Sequence, residues 1–245
     1  MKLRLDMYDY LIISLLIFIG TSLYALRSSE FFISTIVAVL SAVLTDLAAN
    51  YLKNKKIFFP KTGLISGLIV SIVLSSSGPL PMVVAGVAAV LSKHMIKIEK
   101  RHVFNPANFG VLLSVLIFAT ASQSWWGTSY NWLVLPLGMF VSFKARRLDA
   151  ALSFLIAYTI LFLVPNLLSQ GLSLNAFYSS PLLFYTFVMV VEPATTPIMS
   201  KGRVLFGVLV AVLTYLFSQY YPDVMFLGAL FVADLFVPLI NKYVR

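Results

Sequence analysis

The chain has 245 residues, of which 60% are hydrophobic and 11% are charged, and its mean hydropathy is +0.94. Ordinary soluble domains carry about 45–50% apolar and about 25% charged residues, so this composition excludes a soluble globular protein. The net charge of +9 comes from basic residues in short gaps between apolar runs, which indicates membrane topology rather than nucleic-acid binding.

Ten apolar runs along the chain are candidates for membrane-spanning helices. A bilayer core of about 30 Å takes roughly 17–25 apolar residues per helix, and each run ends at charged residues, proline or glycine clusters. The sixth run is short and contains Pro136. The predicted spans cover 10–26, 31–50, 62–78, 81–97, 105–122, 131–145, 149–166, 179–193, 203–219 and 223–241.

The positions of lysine and arginine test these spans independently, because positive residues stay on the cytoplasmic side of a membrane. They occupy both termini and the gaps after spans 2, 4, 6 and 8, and of the 18 only Arg27 lies elsewhere. This alternation predicts a multi-pass protein of the cytoplasmic membrane with both termini in the cytoplasm. The first run exceeds the 7–15 apolar residues of a typical signal peptide, so we interpret it as a retained membrane helix.

Ten helices divide into two sets of five, and because five is an odd number, a second copy of the first set would be inverted in the membrane. The predicted fold class is therefore an all-α integral membrane protein with ten transmembrane helices in two inverted five-helix repeats. We expect a single membrane domain over 1–245, with repeat one at about 10–122 and repeat two at about 131–241.

Proline positions are consistent with this repeat. Pro81 and Pro197 are 116 residues apart, and so are Pro106 and Pro222, although one such coincidence is expected by chance among eleven prolines. The segment S-S-S-G-P-L-P closes span 3 and E-P-A-T-T-P closes span 8. Such breaks free backbone groups that lipid cannot satisfy, which predicts a cavity between the halves; ordinary helix ends in loops are the alternative.

Three acidic residues lie within apolar spans, where an ionised side chain costs about 2.5–3.5 kcal/mol on insertion scales. Asp46 lies near Lys53, and Glu192 lies near Lys201, so each acid has a nearby cation as an expected partner. A role at a cofactor or an ion pathway is the alternative for both. Asp234 lies deeper in its span, and we expect a functional role there.

The N-terminus of span 5 is a candidate ligand site. Asn105 followed by Pro106 is typical of an N-cap and a first helical residue, and Asn108 lies one turn further on. Amide groups and the positive end of the helix dipole can hold an anionic or carbonyl-rich ligand. A capped helix with no ligand is the alternative.

Metal and nucleotide sites have no motif in this sequence. The chain has no cysteine, and His94 and His102 lie eight residues apart with no acid at metal-binding spacing, so we expect both at the membrane interface and no metal. Phosphate-binding glycine loops, a nucleophile elbow and H-E-x-x-H are also absent. Any redox chemistry therefore requires a bound organic cofactor or another subunit.

Several segments together resemble one family, the B and D subunits of the sodium-pumping NADH:quinone oxidoreductase and of the Rnf electron-transport complex (the RnfD/NqrB family). They occur in family order and cover most of the chain from about residue 60 onward. The segments are T-G-L-I-S-G-L-I-V-S-I-V-L (62–74), S-K-H-M (92–95) leading to F-N-P-A-N-F-G (104–110), E-P-A-T-T-P with S-K-G-R (192–203), and Y-P-D (221–223) leading to L-F-V-P-L-I-N-K-Y (235–243).

The resemblance implies a urea-transporter-like fold and a place in a multisubunit membrane complex that passes electrons through flavins while moving Na⁺ or H⁺. Family members usually carry Asp where this chain has Glu192. They commonly attach FMN to a threonine in an S-G-A-T-like motif after the fifth helix. Residues 119–130 lack that motif, and Thr128 is its nearest counterpart. A flavin, FMN or riboflavin, would then bind noncovalently, or this protein has left flavin chemistry altogether.

The leading hypothesis is a membrane electron-transport subunit that holds a flavin between the repeats and couples electron transfer to Na⁺ or H⁺ movement. The alternative is a stand-alone channel or transporter for a small solute or a flavin. Expected partners are other membrane subunits and the lipid bilayer, with no nucleic acid. Candidate cofactor-binding residues are Asn105, Asn108, Glu192, Thr195 and Thr196; Thr128 is a candidate for covalent flavin, and Asp46 and Asp234 are candidates for an ion pathway.

Overall fold

A computed structural model describes residues 5–55, 59–99, 101–169 and 178–244, without the side chains of 164–169. Ten α-helices lie within this part of the chain, and each overlaps one predicted span, although the α-helix in span 8 (179–193) has only five residues. The positively charged residues counted for topology that lie outside the described residues are Lys2, Arg4, Lys56, Lys100 and Arg245.

The described helices follow one another along the chain. They are α1 (Met7–Leu26), α2 (Ser29–Asn54), α3 (Lys61–Val73), α4 (Leu80–Met95), α5 (Pro106–Ile117), α6 (Asn131–Lys144), α7 (Leu148–Ser169), α8 (Ser180–Phe184), α9 (Ser200–Tyr220) and α10 (Met225–Tyr243). A π-helix (Tyr185–Met189) continues α8, and a 3₁₀ turn (Pro222–Val224) precedes α10. The short strands are β1 (Leu74–Ser76), β2 (Lys97–Ile98), β3 (Arg101–His102) and β4 (Ala121–Gln123).

Four helical segments in the described chain are long and apolar enough to cross a membrane. They are α1, α2, α9 and the continuous segment Pro222–Tyr243 that contains α10. The apolar stretches of α3, α4, α5, α7 and the α8 segment are shorter. At 1.5 Å per residue, the 13 residues of α3 reach about 20 Å, which is less than the bilayer core. The chain is a multi-pass membrane protein that combines helices of full and partial length.

Residues 1–97 and 106–130 form one compact unit. In it α2 packs against α3 and α4, and α4 packs against α5. Spans 3 and 5 were predicted to continue to residues 78 and 122, but α3 ends at Val73 and α5 ends at Ile117. The chain beyond each end forms β1 and β4, which pair antiparallel from Leu74 opposite Gln123 to Ser76 opposite Ala121. This pairing supplies the hydrogen bonds that the ended helices no longer provide.

Residues 98–105 and 131–245 form the second compact unit. Here α9 packs against both α7 and α10. Helix α8 has five residues and then widens into the π-helix, which is fully buried and ends at Met189. Single π-turns of this kind occur frequently at functional sites. The break predicted at E-P-A-T-T-P follows directly.

Both units contain the same close helix contact. In the first unit, a Cβ atom on Gly86 of α4 would overlap the hydroxyl of Ser41 on α2. In the second unit, a Cβ atom on Gly207 of α9 would overlap the hydroxyl of Ser153 on α7. Each serine hydroxyl donates to the carbonyl oxygen three residues earlier, at 3.0 Å in both cases. The same Cβ atoms would lie 3.0 Å from Ala38 O and 2.5 Å from Ala150 O, so glycine at both positions lets the helix backbones approach closely.

Candidate functional site

The first unit contains a buried polar group of residues around Asp46, which we name the Asp46 cluster. The Asp46 side chain is 1% exposed, and its Oδ2 atom lies 2.9 Å from Lys93 Nζ. The same oxygen accepts hydrogen bonds from Gly63 N at 2.9 Å and from Thr62 Oγ1 at 3.1 Å. Lys93 Nζ also donates to Thr62 Oγ1 at 2.7 Å. The ammonium and the carboxylate therefore lie among polar partners supplied by three helices.

The other carboxylate oxygen of Asp46 is also occupied. Its Oδ1 atom lies 2.8 Å from His94 Nε2 and accepts a hydrogen bond from Asn50 Nδ2 at 3.2 Å. The expected partner, Lys53, was the wrong cation: seven residues of helix separate it from Asp46 by about 10 Å along the axis. Lys93 and His94, on the last turn of α4, take that place. The sequence did not indicate this pairing of His94 with Asp46.

The second unit contains the break after the π-helix, which we name the Glu192 loop (residues 192–197). The loop folds back on itself, because the backbone N–H groups of Thr195 and Thr196 donate to Glu192 O at 3.2 and 3.0 Å. The Thr196 hydroxyl donates to the same carbonyl oxygen at 2.9 Å. Arg147 Nε donates to that hydroxyl at 2.8 Å. The loop is therefore held from within and by a cation from the α6–α7 connection.

Arg101 of β3 also holds the Glu192 loop. Its Nε atom donates to Ala194 O at 3.0 Å, and its Nη2 atom donates to Pro193 O at 2.8 Å and to Thr196 O at 2.6 Å. Burial lowers the pKa of the Arg101 guanidinium, but its ordinary pKa is so high that it stays a cation. One guanidinium thus satisfies three carbonyl oxygens of a segment that lies outside any helix or strand.

Glu192 itself pairs with a histidine. Its Oε1 atom lies 3.0 Å from His102 Nε2, so the expected partner Lys201 was wrong. The reason is that the Glu192 loop turns toward β3, which carries His102, before α9 begins. The second oxygen of Glu192, Oε2, is buried and accepts no hydrogen bond from any residue that the structure describes.

Asp234 lies fully buried in the middle of α10. Its Oδ2 atom accepts a hydrogen bond from Asn105 N at 2.8 Å, while Oδ1 is buried without a hydrogen-bond partner among the described residues. The Asn105 side chain donates from Nδ2 to Met189 O, at the end of the π-helix, at 3.0 Å. Asn105, which directly precedes α5 as predicted, therefore links Asp234 to the helix break.

The structure places five of the predicted site residues in the second unit: Asn105, Glu192, Thr195, Thr196 and Asp234. The other three lie in the first unit. Asp46 belongs to its own cluster, and Asn108 is fully buried in α5. Thr128 is also buried, and its hydroxyl donates to Trp125 O at 2.7 Å. Of the five residues predicted to line a cavity between the halves, Asn108 lies in the first unit and the other four lie in the second.

A cavity of about 410 Å³ lies beside the Glu192 loop in the second unit. Its lining is formed by three parts of the chain: the β2–β3 connection, the end of the Glu192 loop and the last turns of α10. The lining residues are Ile98, Glu99, Arg101, His102, Val103, Ala194, Ile198, Val237, Pro238, Asn241 and Lys242.

No local signal in the sequence marks the cations that complete both clusters. Lys93 lies in the segment S-K-H-M, which indicated the family but no acid partner, and Arg147 counted only toward topology. Arg101 and His102 precede F-N-P without any motif of their own. Their partners lie 47 or more residues away along the chain. The position of these four basic residues beside short apolar helices could have indicated that they form polar contacts. It could not have indicated which acid each one contacts.

The arrangement around Glu192 and Asp234 suits a cation or a proton. Two buried carboxylate oxygens keep acceptor capacity, and a buried carboxylate is costly unless a charge or donors compensate it. A flavin fits the predicted residues poorly. The Asn105 amide already donates to a carbonyl oxygen, and the Thr196 hydroxyl both donates and accepts within the second unit.

The chain resembles one protein family and several proteins that are named as the same subunit of one complex. The sequence model of the NQR2, RnfD, RnfE family matches residues 118–245. The D subunit of the ion-translocating oxidoreductase complex of Haemophilus ducreyi is 28% identical over 142 residues, which is 56% of this chain and 40% of that protein. The D subunit of Actinobacillus pleuropneumoniae serotype 7 is 28% identical over 144 residues, with the same shares.

A third relative, the D subunit of the same complex in Actinobacillus succinogenes, is 36% identical over 70 residues, or 28% of this chain and 19% of that protein. The matches to the first two relatives cover 40% of those proteins' length. The family match includes the quoted segments at 192–203 and 221–243. It does not reach the segments at 62–74 and 92–110.

Proposed function

We propose, since the chain belongs to the NQR2, RnfD, RnfE family, that it is an integral-membrane subunit of an ion-translocating electron-transport complex. The relatives are named as subunits of such a complex, and this chain has helices that can cross a membrane. Other membrane subunits are its proposed partners. The proposed location is the cytoplasmic membrane with both termini in the cytoplasm, on the alternation of positive residues.

The proposed architecture is two inverted five-helix repeats of the urea-transporter type. Two observations support it. The glycine contact at Gly86 and Gly207 joins the second and fourth helices of each set of five. In addition, the third helix of each set is cut short, α3 at Val73 and the α8 segment at Met189. Interrupted helices in corresponding positions are typical of transporter repeats.

The proposed ion pathway runs past Asp234 and Glu192. The observation that carries this proposal is that each of these acids has one buried oxygen without a hydrogen-bond partner among the described residues. An acid in a membrane helix is expensive and is retained where it binds a proton or an ion. Asp234 Oδ2 is fixed by Asn105 N, so Oδ1 remains to accept a proton or to coordinate Na⁺.

Asp46 has a different proposed role. Both of its oxygens already accept hydrogen bonds, and Lys93 neutralises its charge at 2.9 Å. No acceptor capacity remains for an ion, so we assign Asp46 to the packing of α2, α3 and α4 rather than to the ion pathway. The proposed ion pathway therefore includes Asp234 and Glu192 but not Asp46.

A noncovalent flavin, FMN or riboflavin, belongs to the proposal on the family resemblance alone. Bound flavin would supply the electron transfer. The Asn105 amide and the Thr196 hydroxyl, both predicted to hold it, already form hydrogen bonds within the protein, and no step is assigned to it. The buried Thr128 hydroxyl favours the second candidate, a stand-alone channel or transporter for a small solute or a flavin. Spectra of the gently extracted protein separate the electron-transport subunit from a small-solute transporter, because only the former retains flavin. Reduction of that flavin by the complex's electron donor separates it from a flavin transporter.

The ion pathway is tested in inverted membrane vesicles from cells that carry the whole complex. Electron-transfer-driven uptake of Na⁺ and of protons is measured for wild type, Asp234→Asn and Glu192→Gln. Asp223→Asn is the matched control, because Asp223 is exposed on the 3₁₀ turn that precedes the same helix. We expect uptake to fall at least about tenfold for Asp234→Asn and to stay unchanged for the control. Wild-type uptake by Asp234→Asn would remove Asp234 from the pathway.

A further inference from the structure

The cavity beside the Glu192 loop contains none of the acids of the proposed ion pathway, although His102 in its wall pairs with Glu192. Its lining includes neither Asp234 nor Glu192 nor Asn105. It lies entirely within the second unit, and at about 410 Å³ it falls in the size range of ligand-binding pockets, roughly 300–1,000 Å³. The chemistry of its wall is therefore informative independently of the proposed function.

The wall has an apolar part and a basic part. The apolar part is formed by Ile98, Val103, Ile198, Val237 and Pro238. The basic part is formed by Arg101, His102 and Lys242, and Glu99 is the acid in the lining. Glu99 is exposed and forms no ion pair with any residue that the structure describes. An amphipathic ligand with an anionic group matches this wall.

Arg101 and Lys242 retain donor capacity. Arg101 uses Nε and Nη2 to hold the Glu192 loop, and its Nη1 atom makes no hydrogen bond within the described chain. Lys242 Nζ lies 5.2 Å from the centre of the Tyr243 ring and has no acidic partner among the described residues. A guanidinium and an ammonium with free donors are the groups that recognise phosphate oxygens.

The position of the cavity favours a lipid over a soluble anion. Lys242 lies in the last turn of α10, within a segment that can cross a membrane. Its neighbour Tyr243 is 72% exposed, and tyrosine and lysine at a helix end are typical of the membrane interface. Basic pockets beside the ends of membrane helices bind phospholipid headgroups. The apolar wall adds contacts that an inorganic phosphate cannot use.

We propose that this cavity binds the phosphate headgroup of an anionic phospholipid. The phosphate lies against Arg101 and Lys242, and the upper part of the acyl chains lies against Ile198 and Val237. Occupation of the cavity braces the Glu192 loop through Arg101, because the same guanidinium contacts both. The site needs no flavin and no electron transfer, so it stands even where the proposed function fails.

The test uses the purified full-length chain in a neutral detergent. Native mass spectrometry counts retained lipid, and thermal melting is followed during titration with phosphatidylglycerol or, separately, phosphatidylcholine. Variants are Lys242→Gln, which removes one cation, and Ile198→Trp, which fills the cavity from a side chain that is 58% exposed. Lys201→Gln is the matched control, because Lys201 is an exposed cation of α9 outside the lining.

We expect wild type and Lys201→Gln to prefer phosphatidylglycerol over phosphatidylcholine. Lys242→Gln should weaken that preference about fivefold, the effect of one cation near an anionic headgroup, and Ile198→Trp should abolish it. Equal behaviour of Lys242→Gln and Lys201→Gln would overturn the proposal, as would the absence of any preference. Equal protection by inorganic phosphate or by soluble FMN would also overturn it, by assigning the cavity to a soluble anion.

Discussion

The Asp46 cluster should be a major source of stability in the first unit. Asp46→Asn keeps the shape of the side chain but removes the negative charge that neutralises the buried Lys93 ammonium. In that variant Lys93 Nζ can still donate a hydrogen bond to Thr62 Oγ1. The substitution also replaces one carboxylate oxygen, an acceptor, by an NH₂ group, which cannot accept the hydrogen bonds that the neighbouring donors make. Breaking a buried ion pair in this way costs about 3–5 kcal/mol.

Lys93→Met is the complementary change, and it should cost less. The carboxylate that remains still accepts hydrogen bonds from Gly63 N, Thr62 Oγ1 and Asn50 Nδ2, and His94 Nε2 still lies 2.8 Å away. Loss of one hydrogen bond to a charged group costs about 1.5–3 kcal/mol. The order of the two variants therefore follows from how many partners each leaves behind.

Thermal melting followed by tryptophan fluorescence in detergent measures both effects. A loss of about 3–5 kcal/mol corresponds to a fall of about 6–20 °C for a chain of this size. Lys53→Met is the matched control, because Lys53 is an exposed lysine on the same helix as Asp46. Its melting temperature should change by less than about 2 °C, the effect of a surface substitution. Equal losses for Lys53→Met and Lys93→Met, or a wild-type melting temperature for Asp46→Asn, would refute the reasoning.

Three further outcomes are expected. Gly207→Ala should cost about 1–3 kcal/mol, because the added Cβ would lie 2.5 Å from the backbone oxygen of Ala150. Gly86→Ala should cost less, because the nearest backbone atom, Ala38 O, would lie 3.0 Å away and the Ser41 hydroxyl can rotate; wild-type melting of Gly207→Ala would disprove the close contact. Arg101→Met should abolish ion uptake by the complex, since three loop carbonyl oxygens lose their donor, and normal uptake would show that the Glu192 loop needs no clamp. Thr128→Val should leave flavin content, measured by fluorescence of the denatured protein, unchanged, because the Thr128 hydroxyl is buried and already donates. Loss of flavin from that variant would place the attachment there.

The helices were predictable because their ends depend on local chemistry. Span 9 was predicted at 203–219 and α9 covers Ser200–Tyr220; the predicted start of span 6, residue 131, is also the start of α6. Spans 3 and 5 were extended too far, to 78 and 122. Hydropathy does not separate the end of a helix from a short strand that follows it, and pairing of β1 with β4 requires two segments about 47 residues apart.

The partners of the acids were not predictable from spacing. Nearness in sequence favoured Lys53 for Asp46 and Lys201 for Glu192, whereas the packing of α4 and the position of β3 supply Lys93 and His102. Each true partner is 47 or 90 residues away. Sequence identifies which acids are expensive in a membrane, and only the tertiary structure identifies what offsets that cost.

The number of donors on each carboxylate oxygen separates the two deeply buried aspartates. Asp46 is fully satisfied, so its neutralisation should lower stability. Asp234 has one oxygen without a partner among the described residues, so Asp234→Asn removes an uncompensated charge and should leave the melting temperature unchanged or raise it. Ion uptake should fall in Asp234→Asn and change less in the Asp46 variant. Equal loss of stability in both variants would show that Asp234 also has a structural role, and that unused acceptor capacity does not identify the functional acid.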